Sequence, residues 1–367
     1  MQIKTITCHD VYNHGASLQA YALQTYLESL GHSVEIIDYK PDYLSGHYDL
    51  WAVDNPFFDK PFIKQLYLMA KLPERLMALK RKKVFDAFTR KYLKRTACRY
   101  HSNEELKVNP LQADVYIAGS DQIWNTLFQN GRDAAFYLDF APQGAKRISY
   151  AASFATEDVV EEYKPFVQKM LQNFDVISIR ERCSLPLLSS LGRKDGVAVC
   201  DPVFLLNRDQ WEELLPKGQK MKGRYLLVYD TEKSDKVKGI VQRIAKEKKL
   251  KIFNISGFRL GYVDKDFWIS SPLNFVQLIR DAEYVVSNSF HATAFSLIFE
   301  KDFCVVNRSE KINERMKSLL KDYHLDNRLA TSYSDSLLES IDYHAVNILI
   351  QKDIDDSKEF LKTELMS

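Results

Sequence analysis

The chain has 367 residues, 46% hydrophobic and 27% charged, with 51 Lys+Arg against 49 Asp+Glu. That length suggests two ordinary domains, and a net charge of +2 argues against a nucleic-acid binder working through a broad basic field. Glycine is scarce at 13 residues, about half the usual share, and neither GxGxxG nor GxxxxGKS/T occurs, so any phosphate must be held by cations and helix ends.

In chain order, Ile3–Cys8 reads as a strand, 9–16 as a loop and Ser17–Leu30 as an amphipathic helix closed by Gly31, with Ser33–Asp38 the next strand. Pro41, Pro56, Pro61 and Pro73 then break the rhythm, and Glu74–Arg95 reads as a basic helix inside an insertion at about 55–110. Its cations form either a solvated face or a surface that approaches anionic lipid. Asp114–Ala118 and Arg147–Ala151 resume as strands, followed by a helix over Val159–Asn173 and strands at Val176–Ile179 and Val197–Cys200. A second set has strands at Tyr225–Tyr229, Lys251–Ile255, Tyr284–Ser287 and Phe303–Val306, with helices near Asp235–Glu247, Asn274–Asp281 and Ala292–Phe299. This alternation predicts an α/β protein of two doubly wound halves, residues 1–206 and 207–367, facing a cleft, with the last helix packing back on the first half.

The first eight residues lack the apolar core of a secretory signal, and the five cysteines form no CxxC pair. The expectation is a cytoplasmic protein with reduced core thiols, no metal and no cofactor.

Polar clusters fall just after predicted strands, where ligands bind in such sheets. Asn13, Gly15, Ser17 and Gln19 lie at the first strand–helix junction, either as a helix start capped by Ser17 or as an anion-facing end. Ser120, Asp121, Gln122, Trp124 and Asn125 mix hydrogen-bonding groups with an indole, which suits a sugar or, equally, a capped turn over a buried Trp. Arg180 ends a strand beside Glu181, which offers it a carboxylate. Ser287, Asn288, Ser289 and His291 open a helix after an apolar strand and form the strongest cluster, since imidazole can move protons near neutral pH. Lys311 and Arg315, four apart, share a helix face and either add charge to the cleft or pair with Glu310 and Glu314.

With these residues in hand, the sequence resembles the polysaccharide pyruvyl transferase family. The resemblance rests on Asn13-x-Gly15-Ala16-x-Leu18-Gln19, Gly119-Ser120-Asp121-Gln122-Ile123-Trp124-Asn125, Tyr150-Ala151-Ala152-Ser153-Phe154 and Ser178-Ile179-Arg180-Glu181. It continues through Asp201-Pro202-Val203-Phe204, Ser287-Asn288-Ser289-Phe290-His291, Asn313-Glu314-Arg315 and Asp326-Asn327-Arg328, and it says little from 40 to 112. It implies two Rossmann-like domains in the GT-B arrangement. It also implies transfer of a pyruvyl group from phosphoenolpyruvate to two hydroxyls of a sugar or lipid-linked oligosaccharide, releasing phosphate. Arg180 and His291 then match donor-binding and catalytic positions, joined on the donor side by Ser287, Asn288, Ser289, Lys311 and Arg315. Asp121 would position or deprotonate the acceptor, whose other contacts would be Asn13, Gly15, Ser17, Gln19, Ser120, Gln122, Trp124 and Asn125. Peripheral membrane contact through 74–95 and no nucleic acid complete the expected partners. The competing readings are a GT-B glycosyltransferase with a nucleotide-sugar donor, disfavoured because no Glu-x7-Glu pair occurs, and a non-catalytic sugar- or anion-binding homologue.

Overall fold

The computed structural model describes residues 1–44, 60, 62–308 and 313–366. The first lobe runs β1 (Gln2–Ile6), α1 (His14–Ser29), β2 (Ser33–Tyr39), α2 (Ile63–Tyr92), β3 (Arg95–Tyr100), α3 (Asn103–Val108), β4 (Val115–Ala118), β5 (Lys146–Ala152), α4 (Lys164–Leu171), β6 (Val176–Ile179), α5 (Leu185–Ser190) and β7 (Val197–Ala198). The second runs α6 (Arg208–Glu213), β8 (Tyr225–Tyr229), α7 (Asp235–Lys248), β9 (Lys251–Asn254), β10 (Lys265–Asp266), α8 (Pro272–Asp281), β11 (Tyr284–Ser287), α9 (Phe290–Ile298), β12 (Asp302–Val306), α10 (Glu314–Asp322), β13 (Leu329–Ala330) and α11 (Tyr343–Met366).

Two parallel sheets result, ordered β3-β2-β1-β4-β5-β6-β7 and β10-β9-β8-β11-β12-β13. Their central strands β4, β8 and β11 are buried along their whole length, as strands covered by helices on both faces must be. The α/β, two-lobed GT-B-like architecture expected from the sequence is the one observed.

Several details differ from expectation, among them a shorter α4 (Lys164–Leu171 in place of Val159–Asn173) and an α1 that begins at His14. The α2 helix begins at Ile63 and runs through Pro73 as one 30-residue helix, although a proline there removes a backbone donor and crowds the carbonyl four residues before it. Part of the expected insertion belongs to the sheet, because β3 pairs in parallel with β2. Finally, Cys98 and Cys183 are exposed, although Cys8, Cys200 and Cys304 are buried.

The lobes share a core. One apolar cluster joins Ile3, Leu18 and Ile117 of the first lobe to Tyr225, Phe275 and Phe295 of the second, with Trp211 and Leu361 among them. The α1 helix packs on a 3-10 turn at Pro202–Leu205 and on α8 and α9. α11 returns to the first sheet, where Ser357 Oγ accepts from Cys200 N at 2.8 Å and Asp353 accepts from Arg182 at 3.2 Å.

The basic helix also contributes here. Arg81 is buried and donates to Tyr12 O at 3.1 Å and Trp268 O at 3.3 Å, bridging the lobes rather than facing solvent. His14 beside it is fully buried, with Nε2 3.1 Å from Ser270 Oγ and its ring stacked 5.0 Å from Phe275. Burial, and then the Arg81 charge, hold the His14 imidazole well below its ordinary range. Below about pH 6.5 the unfolded chain therefore takes up a proton that the folded chain refuses. Stability is expected to fall by roughly 1.4 kcal/mol per pH unit from this group while it stays neutral. Urea midpoints of wild type and His14→Gln at pH 7.5 and 5.5 check this: the variant should lose less on acidification, and equal losses would refute it.

Candidate active site

The segments that follow β4, β6 and β7 meet the start of α9, which follows β11, and the polar clusters converge there on Asp201. Its Oδ1 accepts from Val203 N at 3.1 Å and so caps the 3-10 turn that follows. That leaves Oδ2 to accept from Arg180 Nη1 at 2.8 Å and Ser120 Oγ at 3.1 Å. His291 Nε2 lies 3.5 Å from the same oxygen, without hydrogen-bond geometry. Burial pushes the Asp201 carboxyl up, but His291 and Arg180 outweigh it and hold the group below the usual carboxylate range. It is therefore an anion in a site closed to water.

Arg180 is held on three sides. Besides Asp201, its Nε donates to Glu181 Oε1 at 2.9 Å and its guanidinium lies 4.2 Å from the Phe290 ring centroid. Burial disfavours its charge, but Glu181 and Asp201 more than compensate and raise its pKa above the ordinary value. Nη2 remains buried with no hydrogen-bond partner.

Arg315 enters from α10 and is also buried. Its Nε finds no hydrogen-bond partner, and burial together with the nearby Arg180 charge pushes its pKa down to about 10. Arg315 is thus held in the interior and not on a solvated face, while Glu310, its expected pairing partner, lies outside the described residues. Arg180, Phe290 and Arg315 line one cleft, and Glu181 Oε2 is likewise buried and unpartnered.

His291 is fixed from the opposite lobe. A Cβ built on Gly15 would sit 2.0 Å from His291 Nδ1 and 2.1 Å from its Cγ. Gly15 is thus required by the imidazole that presses on it. Asn13, exposed, supplies the α1 cap by accepting from Gly15 N and Ala16 N, whereas Ser17, expected as the cap, is buried inside the helix.

Several residues expected to touch the acceptor form a buried strut instead. Gln19 Nε2 donates to Thr7 Oγ1 at 2.9 Å, Thr7 Oγ1 donates to Ser120 O at 2.7 Å, and Ser120 reaches Asp201. Trp124 is fully buried, stacked on Tyr137 at 5.5 Å, and its indole N–H donates to Phe136 O at 3.1 Å, so it offers no face to a sugar. Asn125 is buried and donates to Gln122 Oε1 at 2.9 Å, so both amides build the turn. Asp121 differs. It is half-buried at φ 77°, and its charge acts on both Arg180 and Arg315. An Asp held in the left-handed region costs about 1 kcal/mol.

On the second lobe, Ser287 Oγ donates to Tyr229 O at 2.9 Å. Asn288 donates to Asp230 and accepts from Thr231 N and Oγ1, so both residues are committed to the loop. Ser289 occupies the N-cap of α9 without a side-chain cap bond. Lys311 lies outside the described residues. Among the described residues, no three His, Cys, Asp or Glu side chains converge as a metal site. Burial pushes the Cys200 and Cys304 thiols up to about 12, which removes them as nucleophiles at neutral pH.

Asp201, Phe290 and Thr7 were not singled out as site residues by sequence reasoning. An Asp-Pro pair just beyond a strand was the available signal for the first, while the other two carry none.

The fold has relatives among solved structures. A candidate UDP-N-acetylglucosamine 2-epimerase from Listeria monocytogenes aligns at TM-score 0.52 and 11% identity, over 97% of this chain and 90% of that one. A UDP-N-acetylglucosamine 2-epimerase from Rickettsia bellii aligns at TM-score 0.51 and 11% identity, over 100% and 96%. No curated protein matches by sequence. The family described as polysaccharide pyruvyl transferase matches residues 13–310. With that span covering most of the chain, including Arg180, Asp201 and His291, the protein belongs to the polysaccharide pyruvyl transferase family.

Proposed function

We propose that this enzyme transfers the enolpyruvyl group of phosphoenolpyruvate to two hydroxyls of a sugar, free or lipid-linked, forming a pyruvate ketal. The observation that supports this is the pair of buried guanidiniums, Arg180 and Arg315, each with a nitrogen that lacks a hydrogen-bond partner among the described residues. Arg180 is balanced by Glu181 and Asp201, but Arg315 beside it is disfavoured by burial and by the Arg180 charge, a cost that a bound anion would relieve. Phosphoenolpyruvate carries a carboxylate and a phosphate, so it fits two guanidiniums and the unpaired amides that begin α9.

The residues divide the work accordingly. Arg180 and Arg315 bind the donor, and His291 protonates C3 or meets the phosphate. Protonation leaves an oxocarbenium-like C2, to which the first sugar hydroxyl adds as it loses its proton. The C2–O bond to phosphate then breaks, and the second hydroxyl closes the ketal. Asp121 positions or deprotonates the acceptor. Asp201 touches neither substrate; it orients Arg180 and His291 together.

A second reading is an enzyme acting on a UDP-sugar, supported by the fold-level likeness to UDP-N-acetylglucosamine 2-epimerases. One experiment separates the two. The enzyme is incubated with phosphoenolpyruvate and a panel of sugar acceptors, and in parallel with UDP-N-acetylglucosamine, following phosphate release and the acceptor mass. Phosphate release with the mass gain of one pyruvyl ketal is expected. Turnover of the UDP-sugar alone would overturn the proposal.

Arg315→Met gives a second check. Removing a buried charge that has no hydrogen-bond partner at Nε should leave the ligand-free Tm unchanged or higher. Phosphoenolpyruvate at a hundred times its Kd should add about 2.7 kcal/mol to the wild type and little to the variant. A lower ligand-free Tm, or undiminished protection, would place Arg315 in the framework.

A further inference from the structure

We infer that α2 is a docking surface for an anionic phospholipid bilayer, independently of which donor the cleft takes. The observation is a division along the helix rather than around it. Phe62 at the N-cap, Leu66, Met69 and Leu76 recur every three to seven residues on one line of the helix and are 78%, 70%, 72% and 49% exposed. Leu72, 46% exposed, flanks that line. Continuing that line of the helix come Lys80, Lys83 and Lys91, all exposed, with exposed Arg90 beside them. Asp86 of this helix stays off the line and pairs with Lys82 at 2.8 Å.

A solvated helix has no reason to expose four large apolar side chains in register. A water-soluble partner of mixed charge would not require the cations to follow them on the same line. An anionic bilayer requires both: apolar side chains that enter the acyl boundary and lysines that stay among the headgroups. The rest of α2 is anchored. Phe85 and Phe88 are buried, and Arg81 donates to Tyr12 O and Trp268 O beside the β1–α1 loop. A bilayer on this face would therefore lie against the element that ties the two lobes together, close to the start of α1 that holds His291.

The test is co-sedimentation of the full chain with mixed phosphatidylglycerol–phosphatidylcholine vesicles and with pure phosphatidylcholine vesicles. Binding to the mixed vesicles, weakened by salt, is expected. Each basic charge near such a surface is worth roughly fivefold in partition, so Lys80→Glu/Lys83→Glu should bind more than tenfold more weakly. Leu66→Ser/Met69→Ser should also lose binding. Both double variants change exposed side chains and should keep the wild-type Tm and activity on a water-soluble acceptor. Three outcomes would overturn the inference: no sedimentation with either vesicle, equal binding by wild type and both variants, or a concentration-dependent dimer abolished by Leu66→Ser/Met69→Ser. The last would assign the stripe to a second copy of the chain.

Discussion

Replacing Asp201 by Asn should lower turnover by about a thousandfold or more and cost about 3 kcal/mol of stability. The amide keeps the shape and the cap on Val203 but removes the charge that Arg180 and His291 share. Arg180 would retain Glu181, so the loss should sit at the low end for a broken buried pair. Its guanidinium would be free to turn toward Glu181 and away from the cleft. Steady-state kinetics with denaturant unfolding would show both effects, and a variant within tenfold of wild type would mean that packing, not charge, orients the pair. The sign of the acid dependence follows from the same site. The folded-state pKa of Asp201 is depressed, so its contribution is complete above about pH 4 and is lost as pH falls through the folded value.

The other large effect comes from Gly15→Ala. In a helix, this change normally stabilises by up to about 1 kcal/mol. Here the added methyl would occupy the position of the His291 ring, and a reacting group misplaced by about 1 Å costs on the order of a hundredfold. Activity should fall at least that far. The double variant Gly15→Ala/His291→Ala makes the argument specific. With the ring removed the methyl has room, so the double variant should be no less active than His291→Ala and more stable than simple addition of the two effects allows. Strict additivity would show that Gly15 acts elsewhere.

The central strands were legible because parallel strands covered on both faces must be apolar runs. Tyr225–Tyr229 and Tyr284–Ser287 match the sequence reading residue for residue. The β3 strand was not legible, because Arg95-Thr96-Ala97-Cys98-Arg99-Tyr100 is an edge strand that buries only Thr96 and Tyr100 and carries two arginines, whose partners Asp38 and Asp10 lie far off in sequence. Strand-end position located the polar clusters in the candidate site but could not say which side chains turn inward. In the Gly119–Asn125 turn, the left-handed backbone at Asp121 decides that, leaving Asp121 half-buried and Trp124 in the core. The central place of Asp201, marked in the sequence only by its Asp-Pro pair, was hidden for a different reason. Its partners come from residue 120, residue 180 and the opposite lobe, and no local pattern reports a contact across that distance.

The apolar cluster common to both sheets has a consequence for modularity. Doubly wound halves are often regarded as exchangeable units that hinge about a linker. Here Leu18, Trp211, Phe275 and Leu361 belong to one buried cluster, and parting the halves would bring that cluster into water. Clamshell opening is therefore an expensive coordinate for this molecule. Neither half can be grafted onto another partner without inheriting an exposed greasy face. The two lobes must then evolve as one body.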